Sequence, residues 1–464
     1  MPRNAATWLA TAGLSMLTLF APAVAGAKEA EVAPIQALIG NPDDFTLSVA
    51  SRLRFEALDG QARAGFRDSE DLVSLRTVVT AEYRSGNLRL GGELWDSRVF
   101  GIDPRGVVGP NEVNTFEMVQ AHATLAMPGA FGKGSTASVQ AGRMMLNIGS
   151  RRLIAADDYR NTTNGYTGLR ADAKLKDGTT ATALYVLPQI RMPEDIASIR
   201  RGKVKVDSEN FDTQLWGLFL ARPKVIGPVM AEVAYVGFAE RDAPGRLTRD
   251  RRLSTFSGRL MADAKPGHFD FELEGMHQFG TTSSGTTATA SRLDVSAWFA
   301  HADIGYSFPG SLKARLSVEY DYASGDGPGG SYGRFDTLYG MRRADFVPSG
   351  IYAAVGRANI STPGVRFEAA PGKRLDGFVA WHPMWLANSR DTFSTSGVRD
   401  ATGAAGSFAG HNLDARIRWW AIPKRLRAEV NANLLLKGRF LREAPNAPRT
   451  GDTKYIATAL TLML

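Results

Sequence analysis

Cysteine is absent from the 464 residues of this chain. That absence excludes disulfide frameworks, thiolate metal sites and cysteine nucleophiles. Histidine is scarce: its six residues are scattered and form no H-E-x-x-H pattern, and no G-x-S-x-G marks a serine hydrolase. We therefore predict a protein that is not an enzyme, with no catalytic residues, no metal site and no cofactor.

Long apolar runs are absent beyond the N-terminus. Arg3, an apolar run over 8–20 and small residues over 23–27 predict a secretory signal peptide at residues 1–27. No later stretch approaches the ~18 to 20 consecutive apolar residues that a spanning helix needs. Residues 28–464, predicted to form a single domain, are therefore either soluble in the periplasm or an outer-membrane β-barrel, because only helices and closed barrels satisfy the backbone within lipid.

Strict alternation of side chains is what the sequence has instead. In "SLKARLSVEYDYASGDGPGG" (311–330), Lys313, Arg315, Ser317, Glu319 and Asp321 alternate with apolar residues from Leu312 to Tyr322. Such alternation indicates a β-strand with one apolar and one charged face. About 18 segments repeat it, each near the ~10 residues that span a membrane as a tilted strand.

The connections between these segments fall into two classes. Tight turns are predicted at 85–87, 176–180, 223–228 and 422–425, and long loops at 103–114, 190–210, 325–350 and 389–410. Short turns at one end and long loops at the other are typical of outer-membrane barrels. The chain ends in the alternating "YIATALTLML", which suits a final strand that closes the barrel. We therefore predict an all-β fold, an antiparallel transmembrane barrel of about 18 strands in the bacterial outer membrane.

Two local motifs suggest other functions. Gly325, Gly327 and Gly330 form a literal G-x-G-x-x-G, but no helix follows, so the sequence does not support a dinucleotide site. Basic segments at 199–205 and 246–252 could serve nucleic acid. We interpret them as solvated loops that touch lipopolysaccharide phosphates or attract an anion, and we predict no nucleic-acid partner.

The polar face predicts the functional site. Arginines on many strands would point into the lumen, where guanidinium groups attract and orient anions. The alternative is that they pair with inward acids and hold the barrel rigid, and we expect both roles. The candidate pore-lining residues are Arg52, Arg54, Arg76, Arg170, Arg259, Arg315, Arg366, Arg416, Arg418, Arg427, Glu319, Asp321 and Asp414.

Three segments resemble a known family. "FDTLYGMRRADF" (335–346), "GELWDSR" (92–98) and "GRMMLNIGSRRLIAADDYRNTTNGYTGLRAD" (142–172) are similar to the alginate export family of outer-membrane porins. The resemblance implies a monomeric barrel with an arginine-rich constriction that passes the anionic polysaccharide alginate outward. It points chiefly to Arg54, Arg76, Arg170, Arg366, Arg416 and Arg418. Arg143 lies in a family-like "GR" pair, although the alternation turns it toward lipid.

The main hypothesis is an outer-membrane channel for an anionic polysaccharide such as alginate, or a similar anionic solute. One alternative is an anion-selective porin for uptake of small organic acids. Others are an outer-membrane hydrolase and a soluble periplasmic carbohydrate-binding protein. Expected partners are the solute, outer-membrane lipid, lipopolysaccharide and periplasmic export components, and the expected state is a monomer.

Overall fold

The computed structural model describes residues 35–103, 106–342 and 345–464. The signal-peptide prediction for residues 1–27 lies outside these ranges. Three short helices are present, α1 Ile35–Leu38, α2 Ile196–Arg200 and α3 Arg439–Glu443. The strands are β1 Phe45–Asp59, β2 Glu70–Ser85, β3 Leu88–Phe100, β4 Asn114–Pro128, β5 Thr136–Met144, β6 Tyr166–Lys174, β7 Thr180–Pro188, β8 Thr213–Ile226, β9 Val229–Glu240, β10 Arg252–Ala262, β11 Phe269–Ser283, β12 Arg292–Ser307, β13 Arg315–Ala323, β14 Ser331–Tyr332, β15 Ile360–Ala369, β16 Leu375–Trp385, β17 Phe408–Ile422, β18 Leu426–Lys437 and β19 Thr453–Met463.

The long strands form one closed sheet. Each pairs antiparallel with its sequence neighbour, and β19 pairs with β1 from Ala50 opposite Met463 to Asp59 opposite Lys454. The two-residue β14 lies in the loop between β13 and β15, which pair directly with each other. The prediction of about 18 barrel strands is therefore confirmed.

The connections differ sharply between the two ends of the barrel. Where β1 begins and β19 ends, the turns contain two to seven residues, whereas the connections at the other end contain eight to 36. By the usual asymmetry of outer-membrane barrels, the short turns are periplasmic and the long loops extracellular. The predicted turn at 223–228 is shorter than expected, because β8 continues to Ile226 with an irregular register after Arg222.

The alternation sorts each strand into a lipid face and a lumen face. On β13, Leu316, Val318 and Tyr320 are exposed on the outside, while Glu319 and Asp321 are buried inside. The strand begins at Arg315, later than predicted. Lys313, which we expected on the lumen face, lies in the preceding turn at φ 46°.

The hydrophobic core lies within the barrel. The long loops fold inward, and their side chains Ile154, Phe335, Tyr352, Phe393 and Phe440 are almost completely buried. They pack against inward residues of the strands, because the extracellular half of the lumen would otherwise be empty. Among the described residues, no helix has the length and hydropathy needed to cross a bilayer.

A substitution at Gly280 tests how closely β10 packs against β11. At φ 135°, a Cβ there would lie 1.9 Å from the carbonyl oxygen of Arg252. We expect Gly280→Ala to lower the free energy of unfolding by more than about 1 kcal/mol and to lower the temperature at which the barrel unfolds on heated SDS gels. Gly258→Ala is the control, since no atom lies within 4 Å of its Cβ position. Equal unfolding temperatures for the two variants would contradict the expected clash.

Candidate functional site

The ten predicted arginines have their side chains on the interior face of the barrel. Arg52 and Arg54 are buried, whereas Leu53 between them is 46% exposed on the outside. The same contrast separates Arg170 from Leu169 and Arg366 from Val365. The alternation of side chains along each strand therefore predicted that these arginines point into the lumen. Contact with a solute stays a prediction.

Six of these arginines form a basic wall on neighbouring strands. β19 lies at its centre and turns the small side chains of Ala457 and Ala459 inward. Its members are Arg52 and Arg54 on β1, Arg76 on β2, Arg416 and Arg418 on β17 and Arg427 on β18. Five strand carboxylates accompany them on these strands and the two that flank them, namely Glu56, Glu93, Asp376, Asp414 and Glu429. The basic wall therefore has an excess of positive charge.

The guanidinium groups nearest β1 meet main-chain carbonyls more than carboxylates. Arg52 Nη2 donates to the carbonyl oxygen of Arg160 at 2.7 Å, and Arg76 Nη1 donates to the same oxygen at 3.0 Å. The Arg54 guanidinium lies 4.4 Å from the ring centroid of Tyr159. Its Nη1 is 3.9 Å from Glu56, beyond hydrogen-bond length. These charges are held in place without full neutralisation by protein groups.

The other members of the basic wall share carboxylates. Arg416 and Arg418 both approach Asp376 Oδ1, at 3.5 and 2.8 Å. Arg427 lies 3.7 Å from Glu429. Asp376 is thus shared by two guanidinium groups of the basic wall.

An acidic wall faces the basic wall across the lumen. Its carboxylates are Glu232 on β9, Asp270, Glu272 and Glu274 on β11, Asp303 on β12 and Glu319 and Asp321 on β13. Arg259 pairs there with Glu272 at 3.0 Å, and Arg315 pairs with Asp270 and Asp303. Seven carboxylates thus surround two strand arginines. Apart from Glu319 and Asp321, these acids were not selected from the sequence, although the same alternation places them inward.

Glu319 and Asp321 have partners that we did not expect. The sequence predicted that inward acids pair with inward arginines, but Asp321 accepts from His301 Nδ1 at 2.9 Å and Glu319 accepts from His382 Nε2 at 3.0 Å. The reason is register, because His301 lies directly opposite Asp321 on β12. In the described ranges, no group of three or more histidine and acidic side chains is placed to hold a metal ion.

The two remaining predicted arginines, and Arg143 of the family-like "GR" pair, lie outside both walls or at their margins. Arg170 Nε binds Asp172 on its own strand at 2.7 Å. Arg366 Nη2 binds Glu368 at 2.8 Å and stacks 3.8 Å from the Phe378 ring centroid. Arg143 is clamped between Glu117 at 2.6 Å and Glu209 at 2.8 Å, so its expected lipid-facing orientation is wrong. Arg143 is the last residue but one of β5, at the end that meets the long loops, where Glu117 and the folded loop at 207–209 supply its partners.

One loop crosses the lumen between the two walls. We call residues 145–165 the strap. At the acidic wall, strap residue Arg152 donates to Glu272 at 2.5 Å and to Glu274 at 2.6 Å. At the basic wall, the carbonyls of Asp158, Tyr159 and Arg160 accept from Arg52. The strap was not among the loops predicted from the sequence, because its segment carries no glycine-proline signal that sets it apart.

A second loop locks the strap in place. Asp345, in the connection 324–359, binds strap residue Arg152 at 2.8 Å and also pairs with Arg357. Two arginine neighbours hold the pKa of the Asp345 carboxyl well below its usual range despite burial. Below this junction lies a cavity of about 470 Å³, lined by Arg259, Arg315, Arg366, Asp303 and Glu319 among others. The lumen is therefore packed on the long-loop side of the strap and open on the short-turn side.

The model of the alginate export family matches residues 43–452. The chain belongs to the alginate export family. No curated protein sequence matches it. Alginate export family membership and the closed barrel make the protein a channel of the bacterial outer membrane.

Solved porin structures share the fold of this alginate export family member. The Pseudomonas aeruginosa porin OccK8 (OprE) superposes with a TM-score of 0.58 at 12% identity, over 91% of this chain and 98% of the other. OccK3 (OpdO) from the same organism gives 0.56 at 13%, over 93% and 98%. OccK2 (OpdF), crystallised in complex with glucuronate, gives 0.57 at 11%, over 91% and 99%. At such identities the likeness concerns the fold alone.

A substitution at Arg152 tests whether its ion pairs hold the strap of this alginate export protein in the lumen. Arg152→Met would leave the buried carboxylates of Asp345 and Glu274 without this partner, a loss that costs about 3–5 kcal/mol at buried pairs. We expect the strap to detach, with faster cleavage by thermolysin within 145–165 and higher conductance in planar bilayers. Arg151→Met, at the exposed neighbouring residue, is the control. Unchanged cleavage in the Arg152 variant would show that other contacts hold the strap.

The raised pKa of Asp207 predicts that the docking of the loop 189–212 depends on pH. Burial and the nearby Glu117 raise the pKa of Asp207 to about 7 from its ordinary 3.8. Because the folded state favours the protonated form, this stabilisation is complete below about pH 4 and is lost as pH rises through about 7. Hydrogen exchange at 207–209 should therefore quicken over that interval. Asp207→Asn should flatten the dependence, whereas exposed Glu194→Gln should preserve it.

Proposed function

We propose that this outer-membrane channel passes an anionic polysaccharide such as alginate along the basic wall. The observation that carries the proposal is the excess of six arginines over five carboxylates on adjoining strands, together with the neutral carbonyl acceptors of Arg52 and Arg76. A confined cationic surface of this kind raises the local concentration of anions. The solute moves by diffusion, with no covalent step.

The contacts of Arg52 and Arg76 suit exchange of carboxylates. Their present acceptors are neutral carbonyl oxygens of the strap at 2.7 to 3.3 Å. A carboxylate adds the attraction of a full opposite charge and can accept two parallel hydrogen bonds from one guanidinium group, which a carbonyl oxygen does not. A solute carboxylate can therefore replace the strap carbonyls at these arginines, and the neighbouring guanidinium groups offer the next position along the wall. Each contact must stay weak enough to release the solute.

Uptake of small organic acids is the second candidate function. It is favoured by the strap and by the packed extracellular half of the lumen, which leave less room for a polymer than for a monomer. The fold neighbour OccK2 (OpdF) was crystallised with glucuronate, a single uronate. The direction of transport differs between the two candidates, while the basic wall serves both.

We also propose partners for the outer surface. Exposed apolar side chains such as Phe269 and Trp298 suit contact with membrane lipid. Rim arginines such as Arg246 suit contact with lipopolysaccharide phosphates. Periplasmic export components remain candidate partners at the short turns, and the monomeric state, the signal peptide at 1–27 and the single domain 28–464 remain predictions.

Charge reversal on the basic wall tests the proposed function. We expect Arg416→Glu with Arg418→Glu to abolish anion selectivity, measured as the reversal potential of a chloride gradient in planar bilayers, because the local charge changes sign. The matched control is Arg200→Glu with Arg201→Glu, which makes the same change at two exposed loop residues. Unchanged selectivity in the Arg416 and Arg418 variant would remove those residues from the pore. Absence of any conductance in the wild-type protein would overturn the channel function.

A further inference from the structure

Lysine and arginine occupy opposite ends of the barrel. The nine long connections contain 22 arginines and two lysines, both of them in the loop 189–212. The eight short turns hold far fewer residues, yet they contain six lysines and two arginines. A seventh lysine, Lys224, lies at the same end, where the register of β8 becomes irregular after Arg222. The short-turn end therefore carries most of its positive charge on lysine.

These seven lysines form a ring that we call the lysine collar. One belongs to each strand hairpin of the short-turn end except the pair β2 and β3. All seven are exposed, and within the described ranges no ion pair joins any of them to a carboxylate. The collar therefore surrounds the periplasmic rim with charge that the protein leaves uncompensated. Its members are Lys133, Lys176, Lys224, Lys265, Lys313, Lys373 and Lys424.

Exposed apolar side chains accompany the collar. Six of its lysines lie within four residues along the chain of a large apolar side chain that the protein leaves uncovered, and Ile226 and Phe269 are more than 70% exposed. Lysine beside apolar surface suits the boundary between acyl chains and headgroups, because its stem can cover the apolar surface while its ammonium group stays in water. The six apolar neighbours are Phe131, Leu175, Ile226, Phe269, Leu312 and Leu375.

We infer that the lysine collar binds the headgroups of anionic phospholipids in the periplasmic leaflet, in preference to zwitterionic ones. A ring on seven hairpins fits a partner that surrounds the barrel, as a shell of lipid does, whereas a docked protein would contact one arc of it. Anionic lipid surfaces attract clustered lysines. The inference concerns the outer rim of the barrel and does not rest on anion conduction through the lumen.

The choice of lysine agrees with a lipid partner. Its ammonium group is a compact, hydrated point charge on a flexible stem, and it can follow the phosphate of a mobile lipid. The planar guanidinium fork of arginine suits carboxylates held in a fixed geometry. The lumen supplies such partners, as Arg259 shows with Glu272 at 3.0 Å. Lysine at the rim and arginine in the lumen thus correspond to mobile and fixed acceptors.

Spin-labelled lipids test the inference. With the full-length barrel in phosphatidylcholine vesicles, electron paramagnetic resonance gives the association of spin-labelled phosphatidylglycerol relative to spin-labelled phosphatidylcholine. We expect the wild type to favour phosphatidylglycerol by about twofold or more, and the preference to weaken at ~1 M salt, where charges are screened within ~3 Å. Combining Lys265→Gln, Lys313→Gln, Lys373→Gln and Lys424→Gln should lower the ratio toward equality.

A matched control removes four exposed charges at the other end of the barrel. Arg200→Gln, Arg201→Gln, Lys203→Gln and Lys205→Gln all lie in the loop 189–212 and are exposed. Because these residues lie outside the collar, the combined variant should keep the wild-type ratio. An equal loss of preference in this variant and in the collar variant would overturn the collar as the lipid site.

The remaining outcomes also decide the inference. Heat-modifiable migration on SDS gels shows whether each variant forms the barrel, and Lys265→Gln with Lys373→Gln is a second variant if the fourfold one does not fold. Equal association of the two lipids with the wild type would overturn the inference and leave the collar to a soluble anionic partner. A phosphatidylglycerol preference that persists undiminished in the folded collar variants would overturn it too. Ion selectivity of the channel is a separate measurement, so either result leaves the proposed function standing.

Discussion

The requirement that every backbone N–H and C=O group be paired within lipid determines the rest of this structure. An open sheet would leave two unpaired edges in the membrane, so β19 closes against β1 along ten residue pairs. Closure separates an outer surface, which must be apolar, from an enclosed lumen, which can hold charge. The strands can carry many arginines and carboxylates because these side chains lie inside the barrel, away from lipid, and form ion pairs there.

The charged side chains inside the barrel have two roles. At Arg259, Arg315 and Arg366 they form ion pairs between or along strands. On the basic wall the arginines outnumber the nearby acids, and main-chain carbonyls of the strap complete their coordination. Neutral acceptors hold a guanidinium group less firmly than a carboxylate does. The strap can therefore occupy the site of an anion without binding it as tightly as a solute would.

Much of the lumen was predictable because strand geometry has a period of two. Arg52, Arg54 and Arg76 could be placed inside from the alternation alone, and the lengths of the segments indicated a barrel. The alternation failed at the ends of strands. Arg143 is the last residue but one of β5 and binds Glu117 and Glu209, and Lys313 precedes the start of β13, so neither side chain has the orientation that the alternation predicted.

The sequence by itself determined the strand pattern, the apolar outer face and the inward orientation of the arginines, since each of these depends on residues a few positions apart. Only the tertiary structure decided that the arginines of β1, β2, β17 and β18 form one wall, because barrel closure joins the two ends of the chain. It also decided that Arg152 pairs with Glu274 and Asp345, that histidines rather than arginines bind Glu319 and Asp321, and that the strap crosses between the walls. These contacts join residues far apart in sequence, and local periodicity carries no information about them.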